Sequence, residues 1–329
     1  MTESGSNNSI LIVRMGAMGD ILHALPAVAS MKQSFPQHRL VWAMAPKWTA
    51  LVEGNPFVDE VIPFNRRDIT MLLSCWRRLR ELRPSRAIDF QGLIQSALVG
   101  RAAGPRQFFG FDRLSVREPL AAALYSHRLR PTAAHVVDRN LQLAELAGAS
   151  QLTHAAWLPA GKEEGALPAG PFVLTNPLAG WRSKQWPLPN YEIVAQRLQR
   201  EGIELVANVP HHAAGEFRDL KHLRLHTSSI GGLIAATRRA TAVLGVDSGP
   251  LHLAAALGKR GVALFGPTDP GRNGPYGGSM EVMRAPAAAT TYKREHSIHP
   301  NMTQLSPDEV SSSLLRCLSK SAEAVEARP

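Results

Sequence analysis

Short apolar runs alternate with longer segments of helical spacing, and this alternation constrains the fold more than any other feature of the sequence. In the first half the apolar runs are residues 9–13, 39–45, 59–64 and 86–90. Segments with helical spacing of apolar residues lie at 20–35, 68–83, 93–104 and 135–149. Short continuous apolar runs are typical of buried parallel strands, and parallel strands need long crossover connections between them. The first half is therefore predicted to be a parallel α/β unit with right-handed crossovers.

A stretch rich in proline, glycine and charge, residues 158–171, interrupts this pattern and is predicted to be a linker. After it the pattern restarts, with strands predicted at 172–177, 203–209, 241–247 and 261–266 and helices at 190–202, 229–240 and 249–258. A chain of 329 residues is long enough for two domains. We therefore predict two similar α/β domains facing across a cleft, at 1–160 and 161–305, followed by a C-terminal helix and tail at 306–329.

Composition limits the partners and the compartment. The 37 Lys and Arg against 27 Asp and Glu give a formal charge of +10, which favours an anionic partner or a negatively charged membrane surface. No apolar run approaches the roughly 20 residues that span a bilayer, and the polar N-terminus lacks the features of a secretion signal. Two distant cysteines, Cys75 and Cys317, fit a reducing cytoplasm and exclude a disulfide framework or a Cys-rich metal site.

The loop after the first predicted strand, "RMGAMGD" (14–20), places two glycines and one acid before a helix. It lacks the spaced glycines of a dinucleotide-binding loop and the Gly-Lys-Ser/Thr of an NTPase loop, which disfavours an NAD-dependent dehydrogenase. A carboxylate at Asp20 would repel phosphate. Two interpretations remain open for Asp20: a helix cap, or a base that faces the ligand.

The second half carries the residue types that hold phosphate. Asp247, Ser248 and Gly249 separate a predicted strand from a predicted helix, whose N-terminal N–H groups favour an anion. His252, one turn into that helix, either reaches the same anion or is an ordinary core histidine. Lys184 lies between Trp181 and Trp186, which could hold its stem and leave the ammonium free to neutralise a leaving diphosphate. A solvated surface lysine is the alternative.

Three motifs together, "MGDILHALPAV", "GVDSGPLHLAAAL" and "FGPTDPG", resemble the ADP-heptose:lipopolysaccharide heptosyltransferase family. The segments "IDFQGLIQSAL", "GFDRLSVREPLAAALY" and "HVVDRN" are similar to its heptosyltransferase I branch, and the similarity runs from about residue 10 to about residue 280. The resemblance implies a GT-B fold of two Rossmann-like domains, with the acceptor bound by the first and the nucleotide sugar by the second. It also implies an inverting transfer of L-glycero-D-manno-heptose from ADP-heptose to the Kdo of Kdo-lipid A, in lipopolysaccharide inner-core synthesis.

The resemblance also assigns residues. Asp20 matches the family's catalytic base, and Lys184 matches the lysine that contacts the diphosphate. Asp247, Ser248, Gly249 and His252 match the donor motif, with serine at 248 where threonine is usual. Three further donor positions depart from the family: Ala179 and Gly180 stand where it carries hydroxyl residues, and Ser228 where it carries an apolar residue near the adenine. Glu216, on a shortened loop, is the counterpart of the family's ribose-binding acid. The acceptor candidates are Arg66, Arg67, Gln91 and Arg117, although an exposed loop pair is the alternative for 66–67.

A diphosphate leaves without protonation, so one carboxylate and a cationic grip suffice for direct displacement at the anomeric carbon. No Asp-x-Asp pair or cluster of histidine and carboxylate predicts a metal site, so no metal and no cofactor beyond the donor substrate are expected. The expected chain is a cytoplasmic monomer that associates peripherally with the inner membrane and does not bind nucleic acid. Trp76, Arg77, Arg78 and Arg80 are candidates for contact with the leaflet, and a solvated helix face is the alternative.

Three other functions stay open. The departures at 179, 180 and 228 leave room for a different nucleotide sugar, and the acceptor could be that of the second heptose. A non-catalytic protein that binds a sugar nucleotide or an anionic glycan is the alternative from another class. Retention of Asp20 argues against such a binder, because an unpaired carboxylate serves no purpose beside a phosphorylated ligand.

Overall fold

The computed structural model describes residues 8–286 and 288–326. Residues 1–7, 287 and 327–329, which include the start of the polar N-terminus and the end of the predicted tail, lie outside the described residues. The chain divides into two compact units, Met1–Pro159 and Ala160–Pro329, and the division falls within the stretch predicted as a linker. Among the described residues, every helix is too short or too polar to cross a bilayer.

Over its described residues, 8–159, the first unit contains six strands and four α-helices. The strands are β1 (Ser9–Val13), β2 (Arg39–Met44), β3 (Glu60–Pro63), β4 (Arg86–Asp89), β5 (Gln107–Phe111) and β6 (His127–Leu129). The helices are α1 (Met18–Ser34), α2 (Ile69–Leu82), α3 (Ile94–Ala102) and α4 (Val136–Leu146). All strand pairs are parallel, in the order β3-β2-β1-β4-β5-β6, which is the strand order of dinucleotide-binding folds.

Both faces of this sheet are covered, which explains why its central strand β1 is apolar along almost its whole length. Every residue of β1 is buried, and the register pairs Ile12 with Trp42 on one side and with Ile88 on the other. Helices α2 and α3 pack on one face together with the 3-10 helix Pro119–Leu124, and α1 packs against α4. The helices thus fix the strand ends from which the functional loops emerge.

The second unit repeats this design. Its strands are β7 (Phe172–Asn176), β8 (Glu204–Asn208), β9 (Leu223–His226), β10 (Ala242–Val246), β11 (Gly261–Phe265) and β12 (Met280–Arg284). Its helices are α5 (Leu188–Arg200), α6 (Ile230–Arg239), α7 (Gly249–Ala256), α8 (Pro270–Asn273), α9 (Pro300–Thr303) and α10 (Pro307–Glu326). The parallel order is β12-β11-β10-β7-β8-β9, so the first three and last three strands are arranged as in the first unit.

Helix α10 belongs to the core of the second unit. Val310 and Leu314 are fully buried in the same apolar cluster as Tyr191 and Leu198 of α5 and Leu244 of β10. The segment that the sequence sets apart as a terminal helix therefore closes one face of this sheet.

Residues 162–165, within the predicted linker, are held by the second unit. The Lys162 N–H donates to Gly231 O at 3.0 Å, and the Glu164 carboxylate accepts from Ser229 Oγ at 2.6 Å and from its backbone N–H at 2.7 Å. Glu164 thereby binds the start of α6, where a negative charge is favoured by the helix dipole.

Candidate active site

In each sheet the second and third strands are added on one side of the first strand and the next three on its other side. The order therefore reverses between β1 and β4 in the first sheet and between β7 and β10 in the second. Ligands of open α/β sheets bind beyond the carboxyl ends of the strands at such a switch point. In the first unit the loops at this place are 14–17 and 90–93, and in the second unit they are 177–187 and 247–248. Most of the candidate residues lie on these four loops or at the helix starts that follow them.

Asp20 is held in place by Arg14. Arg14 Nη2 lies 2.6 Å from Asp20 Oδ1, and the side chains are 11% and 40% exposed, respectively. The guanidinium also donates from Nη1 to Phe90 O at 2.6 Å, which fixes it to the loop after β4. The carboxylate is therefore accessible to a ligand, while its orientation is set by a buried cation.

Asp20 also caps its own helix. Helix α1 begins at Met18, two residues before the predicted start, so Asp20 occupies the third helical position and Ala17 is the N-cap. Asp20 Oδ2 accepts from the Ala17 N–H at 3.0 Å, as the acid of a capping box does. Both interpretations of Asp20 are thus compatible: each oxygen makes one contact with the protein, and a carboxylate has about four acceptor sites in total.

The loop after β4 packs against the loop that contains Asp20. Gln91 Oε1 accepts from the Met15 N–H at 2.7 Å, and the Phe90 N–H donates to Val13 O at 3.1 Å. The Gln91 NH₂ group has no partner among the described residues. Its two donors are therefore available to a ligand, and the acceptor-binding role of this residue stays a prediction.

Asp89, the last residue of β4, fixes the loop 90–93 through hydrogen bonds to its backbone. It is fully buried, and Oδ1 accepts from the backbone N–H groups of Gln91 and Gly92 at 2.8 and 3.3 Å. Oδ2 accepts from Ser96 Oγ and Tyr125 OH, both at 2.7 Å. Burial raises the pKa of Asp89 above its ordinary value, and these four hydrogen bonds only partly offset that effect.

Arg117 lies on a loop that docks onto the Gln91 loop. The neighbouring Glu118 N–H donates to Gly92 O at 3.4 Å, and its carboxylate accepts from the Ile94 N–H at 2.7 Å, at the start of α3. Gly92 has φ +69°, and a Cβ there would lie 2.8 Å from the Val116 side chain, so only glycine fits this close approach.

Arg66 and Arg67 are exposed on the loop between β3 and α2, also beyond the carboxyl edge of the sheet. β3 is the outermost strand, and three strand spacings separate it from β4. Within the described part of the chain, the side chains of Arg66, Arg67 and Arg117 form no hydrogen bond or ion pair. These guanidinium groups are unpaired, which suits an anionic ligand.

Asp247 is the centre of the second unit's site. Its carboxylate is 5% exposed, and Oδ2 accepts from Lys184 Nζ at 2.6 Å and from Thr268 Oγ1 at 2.7 Å. His252 Nε2 lies 3.4 Å from Oδ1. Three of the predicted donor residues therefore form one cluster, in which Asp247 positions Lys184 and His252.

The charges of this cluster fix its protonation. Burial alone would raise the pKa of Asp247, but the hydrogen bond from His252 and the positive charges of Lys184 and His252 outweigh it. The pKa of Asp247 is consequently held far below its ordinary value. Asp247 is thus an ionised carboxylate that keeps the ammonium of Lys184 in place.

One of the two tryptophans predicted to hold Lys184 does so. Lys184 Nζ lies 4.3 Å from the centroid of the Trp181 ring, within the range of a cation–π contact. The prediction for Trp186 is wrong: this ring is fully buried in the apolar core, and its Nε1 donates to Leu305 O at 3.1 Å. A second cation, Arg294, lies with Cζ 5.2 Å from the Trp181 ring.

The start of α7 presents polar groups next to this cluster. Ser248 is the N-cap residue and Gly249 the first helical residue. Ser248 Oγ is buried and makes no hydrogen bond to the described residues. The sequence predicts that the N–H groups at this helix start bind an anion, and this stays a prediction. The side chain of His252 is 7% exposed and contacts Asp247, so it helps to hold the Asp247 carboxylate in place.

Ala179 and Gly180 lie between β7 and Lys184. Ala179 O accepts from Gln185 Nε2 at 3.2 Å, which ties the loop to itself. Gly180 is exposed, and a Cβ built there meets no atom within 4 Å. A larger side chain would therefore fit at 180.

Ser228 belongs to a polar cluster at the carboxyl ends of β7, β8 and β9. Asn208 Oδ1 accepts from Ser228 Oγ at 2.9 Å and lies 2.9 Å from His226 Nδ1. Asn208 Nδ2 donates to Asn176 Oδ1 at 3.3 Å. Glu216 is exposed on the 3-10 helix His211–Phe217 and makes no ion pair with the described residues.

Sequence reasoning missed four residues of these sites: Arg14, Asp89, Thr268 and Arg294. Arg14 had a usable signal, because a basic residue directly after a buried strand and six positions before Asp20 lies on the ligand edge of the sheet. Thr268 lies inside the quoted motif "FGPTDPG". Asp89 ends a strand as Asp247 follows one, but its burial is not visible in the sequence, and the partner of Arg294, Trp181, is distant in sequence.

Comparison with known proteins gives one consistent family. The model of glycosyltransferase family 9 (heptosyltransferase) matches residues 72–302. Lipopolysaccharide heptosyltransferase 1 of Pseudomonas aeruginosa is 31% identical over 294 residues, which cover 82% of each chain. The protein of that name from Escherichia coli K12 is 28% identical over 84% of this chain and 93% of its own.

Solved structures agree on the fold. E. coli heptosyltransferase WaaC with ADP superimposes with a TM-score of 0.75 at 24% identity, covering 94% of this chain and 99% of its own. E. coli ADP-heptose lps heptosyltransferase II gives a TM-score of 0.78 at 21% identity, with 95% and 99% covered. The two units thus have the GT-B type of fold. Because the family model covers more than half of the chain, and a relative above 30% identity covers four fifths of it, this chain is a glycosyltransferase of family 9, the heptosyltransferases.

Proposed function

We propose that this chain transfers L-glycero-D-manno-heptose from ADP-heptose to the Kdo of Kdo-lipid A, as a heptosyltransferase I of lipopolysaccharide inner-core synthesis. The relatives named heptosyltransferase 1 support this choice of reaction. The observation that carries it is the pair of sites: an accessible, oriented carboxylate in the first unit and a buried cationic cluster in the second.

The donor belongs to the second unit. A solved relative is described with ADP and another structure with ADP-2-deoxy-2-fluoro heptose, which supports a nucleotide sugar as the ligand. Lys184 Nζ has three donors, of which the Asp247 carboxylate takes one. The remaining donors of Lys184 and the free N–H groups at Ser248 and Gly249 would hold the diphosphate.

Asp20 is the proposed base. Transfer with inversion needs a group that takes the proton of the attacking hydroxyl while the bond to the anomeric carbon forms. Arg14 and the Ala17 N–H each hold one oxygen of Asp20, so the carboxylate has one orientation and still has acceptor sites free for the hydroxyl. The ADP leaves with its electron pair, and Lys184 neutralises the charge that develops on it.

The acceptor side is assigned to Arg66, Arg67, Gln91 and Arg117. An acidic sugar carries carboxylate and, on a lipid anchor, phosphate, both of which match guanidinium groups in geometry and charge. We assign the protein to the cytoplasmic face of the inner membrane as a peripheral monomer. We also assign it a reaction that uses no metal and no cofactor besides the donor substrate.

The test is a panel of donors and acceptors with the purified chain. ADP-heptose and other nucleotide sugars are offered to Kdo-lipid A and to the heptosylated product of the first transfer, and the released nucleotide is identified. The proposal expects ADP release only with ADP-heptose, and only with the unmodified Kdo acceptor. Transfer only to the heptosylated acceptor would make the chain a second heptosyltransferase.

The substitutions at 179, 180 and 228 favour one second candidate, a transferase with the same acceptor and another nucleotide sugar. In the relatives those positions serve the donor, so an altered donor would be their natural consequence. The same panel decides, because that candidate would release a nucleotide other than ADP or use a sugar other than heptose.

A further inference from the structure

Helix α2 has two faces of opposite character. Cys75, Leu79 and Leu82 are buried in the core of the first unit. On the outward side Ile69 and Leu73 are 65% and 60% exposed. Single exposed aliphatic side chains are common on protein surfaces, whereas two that lie together on one helix face contribute to an apolar patch of the kind that marks an interaction surface.

The outward residues, of which Trp76 is half-buried and the others are exposed, form one stripe. Ile69, Leu73, Trp76 and Arg80 follow one another at spacings of four, three and four residues, which puts them on one side of a helix. The docking face is defined here as these four residues together with Arg77 and Arg83. An open cavity of about 520 Å³ lies on it, lined by Leu73, Trp76, Arg77, Arg80, Glu81 and Arg83.

The positive charges of this face are uncompensated. Arg77, Arg80 and Arg83 are exposed and form no ion pair or hydrogen bond through their side chains with the described residues. The acids nearby are engaged elsewhere: Glu60 binds Arg78 through two hydrogen bonds of 2.7 and 2.8 Å, and Glu81 lies 3.5 Å from the same guanidinium.

This combination selects the partner. A soluble anion would satisfy the three arginines but would leave Ile69 and Leu73 in water. An anionic bilayer satisfies both groups, because arginines reach the phosphate layer while aliphatic side chains enter the acyl boundary. A tryptophan between them suits the same interface, since its ring is apolar and its N–H is a donor.

We propose that the docking face binds the first unit to the surface of a bilayer rich in anionic phospholipid. The inference deepens the proposed function, because it names the surface that would bring the chain to a lipid-linked acceptor. It assigns no role in sugar transfer to any residue of the face.

Binding of the full-length chain to vesicles tests the proposal without any measurement of transfer. Vesicles of phosphatidylethanolamine with about one third phosphatidylglycerol are compared with neutral phosphatidylcholine vesicles by sedimentation, at low and at high salt. The variant Arg77→Gln/Arg80→Gln/Arg83→Gln is compared with the control Arg200→Gln/Arg218→Gln/Arg260→Gln, which changes exposed arginines of the second unit by the same net charge.

Each arginine near an anionic surface is worth about fivefold in binding, so the triple variant of the face should lose roughly a hundredfold. The control should stay within about twofold of the unmodified chain. The variant Ile69→Ser/Leu73→Ser should lose the part of the binding that survives high salt, whereas Leu152→Ser/Ile193→Ser, two exposed aliphatic positions elsewhere, should not.

Equal losses in the two arginine variants, or no preference for anionic vesicles, would overturn the proposal. A second result would also overturn it: the unmodified chain is a dimer that does not bind vesicles, and the variant Ile69→Ser/Leu73→Ser is a monomer. The face would then bind a second copy of the chain. A detergent-dispersed acceptor separates this inference from the proposed function. The face variants should transfer to it normally, and absence of transfer by the unmodified chain would contradict the proposed function alone.

Discussion

Lys184 and Asp247 are 63 positions apart in the sequence and form an ion pair of 2.6 Å, with side chains only 15% and 5% exposed. A charge as buried as Asp247 is tolerated because Lys184, Thr268 and His252 all converge on it. The same pair serves two purposes. It stabilises the second unit, and it keeps an ammonium ready beside the first residues of α7.

Asp247→Asn should destabilise the second unit by about 3–5 kcal/mol at pH 7, because it leaves the charge of Lys184 without its partner. The pKa of Asp247 is lowered in the folded protein, so the ionised form stabilises the fold above about pH 4 and this contribution is lost as the pH falls further. The difference between the unmodified chain and the variant should therefore stay constant from neutral pH down to about pH 4 and shrink below it. Hydrogen exchange of the β10 amides measures it, with Asp308→Asn, an exposed acid of the same unit, as the control. A difference that grew toward acid would contradict this account.

Asp89→Asn should show the opposite dependence. Burial raises the pKa of Asp89, so the protonated carboxyl stabilises the first unit below about pH 4 and that contribution is lost as the pH rises. The asparagine keeps an oxygen that accepts from the backbone N–H groups of Gln91 and Gly92. The variant should lower the free energy of unfolding of the first unit by about 1–3 kcal/mol at pH 4. Hydrogen exchange of the β1 amides should show that this cost falls toward pH 8. A cost that rises with pH would mean that Asp89 is ionised in the folded protein.

Arg14→Met should lower kcat by about ten- to a hundredfold, because Asp20 loses the group that orients it, while KM for the donor should stay within twofold. Arg14→Lys should recover part of the lost rate, since one cation remains but cannot reach both Asp20 and Phe90 O in the same way. Steady-state kinetics measure kcat and KM separately, and the variant Arg78→Met is the control for a loss of stability. Arg78→Met removes another arginine that bridges acids in the first unit and should lower stability without changing kcat. Equal effects of the two methionine variants on kcat would show that Arg14 has only a structural role.

Gly180→Ser should leave the fold intact, because a side chain at 180 enters open space. If residue 180 lies beside the donor, as the family resemblance implies, an added hydroxyl supplies one hydrogen bond, which is worth about three- to tenfold in KM for the donor. Gly170→Ser, also in open space but on another loop, is the matched control and should change nothing. An unchanged KM in Gly180→Ser would place residue 180 outside the donor site.

Much of the fold follows from the sequence, because a strand that is buried on both faces must be apolar along its whole length. β1, β7, β10 and β11 were therefore predicted to within one or two residues. The prediction missed β5, β6, β9 and β12. Of these, β6, β9 and β12 lie at sheet edges, and exposed or charged residues such as Arg128, Arg224 and Glu281 break their apolar pattern. β5 is central enough to be buried, but Gly110 interrupts its short run where Tyr125 packs.

The candidate sites were predictable where a residue follows a strand directly, as Asp247 does, or lies at the start of the helix that comes next, as Asp20 does. Trp186 was misassigned because a sequence cannot tell which of two nearby tryptophans turns into the core. The convergence of Lys184, Thr268 and His252 on Asp247 depends on how strands β7, β10 and β11 lie side by side. Pairings of that kind arise from tertiary packing and leave no periodic signal.

The most direct test of the central claim is single-turnover transfer of heptose by Asp20→Asn. Asparagine keeps an oxygen for the Ala17 N–H, so α1 should remain capped, but it cannot accept the proton of the acceptor hydroxyl. The account predicts that transfer falls by about 10²–10⁴-fold while the Kd for ADP-heptose, measured by calorimetry, stays within twofold. Asp68→Asn, which alters a carboxylate cap at the start of α2, should transfer at the normal rate. Transfer by Asp20→Asn at the rate of the unmodified chain would contradict the assignment of Asp20 as the base.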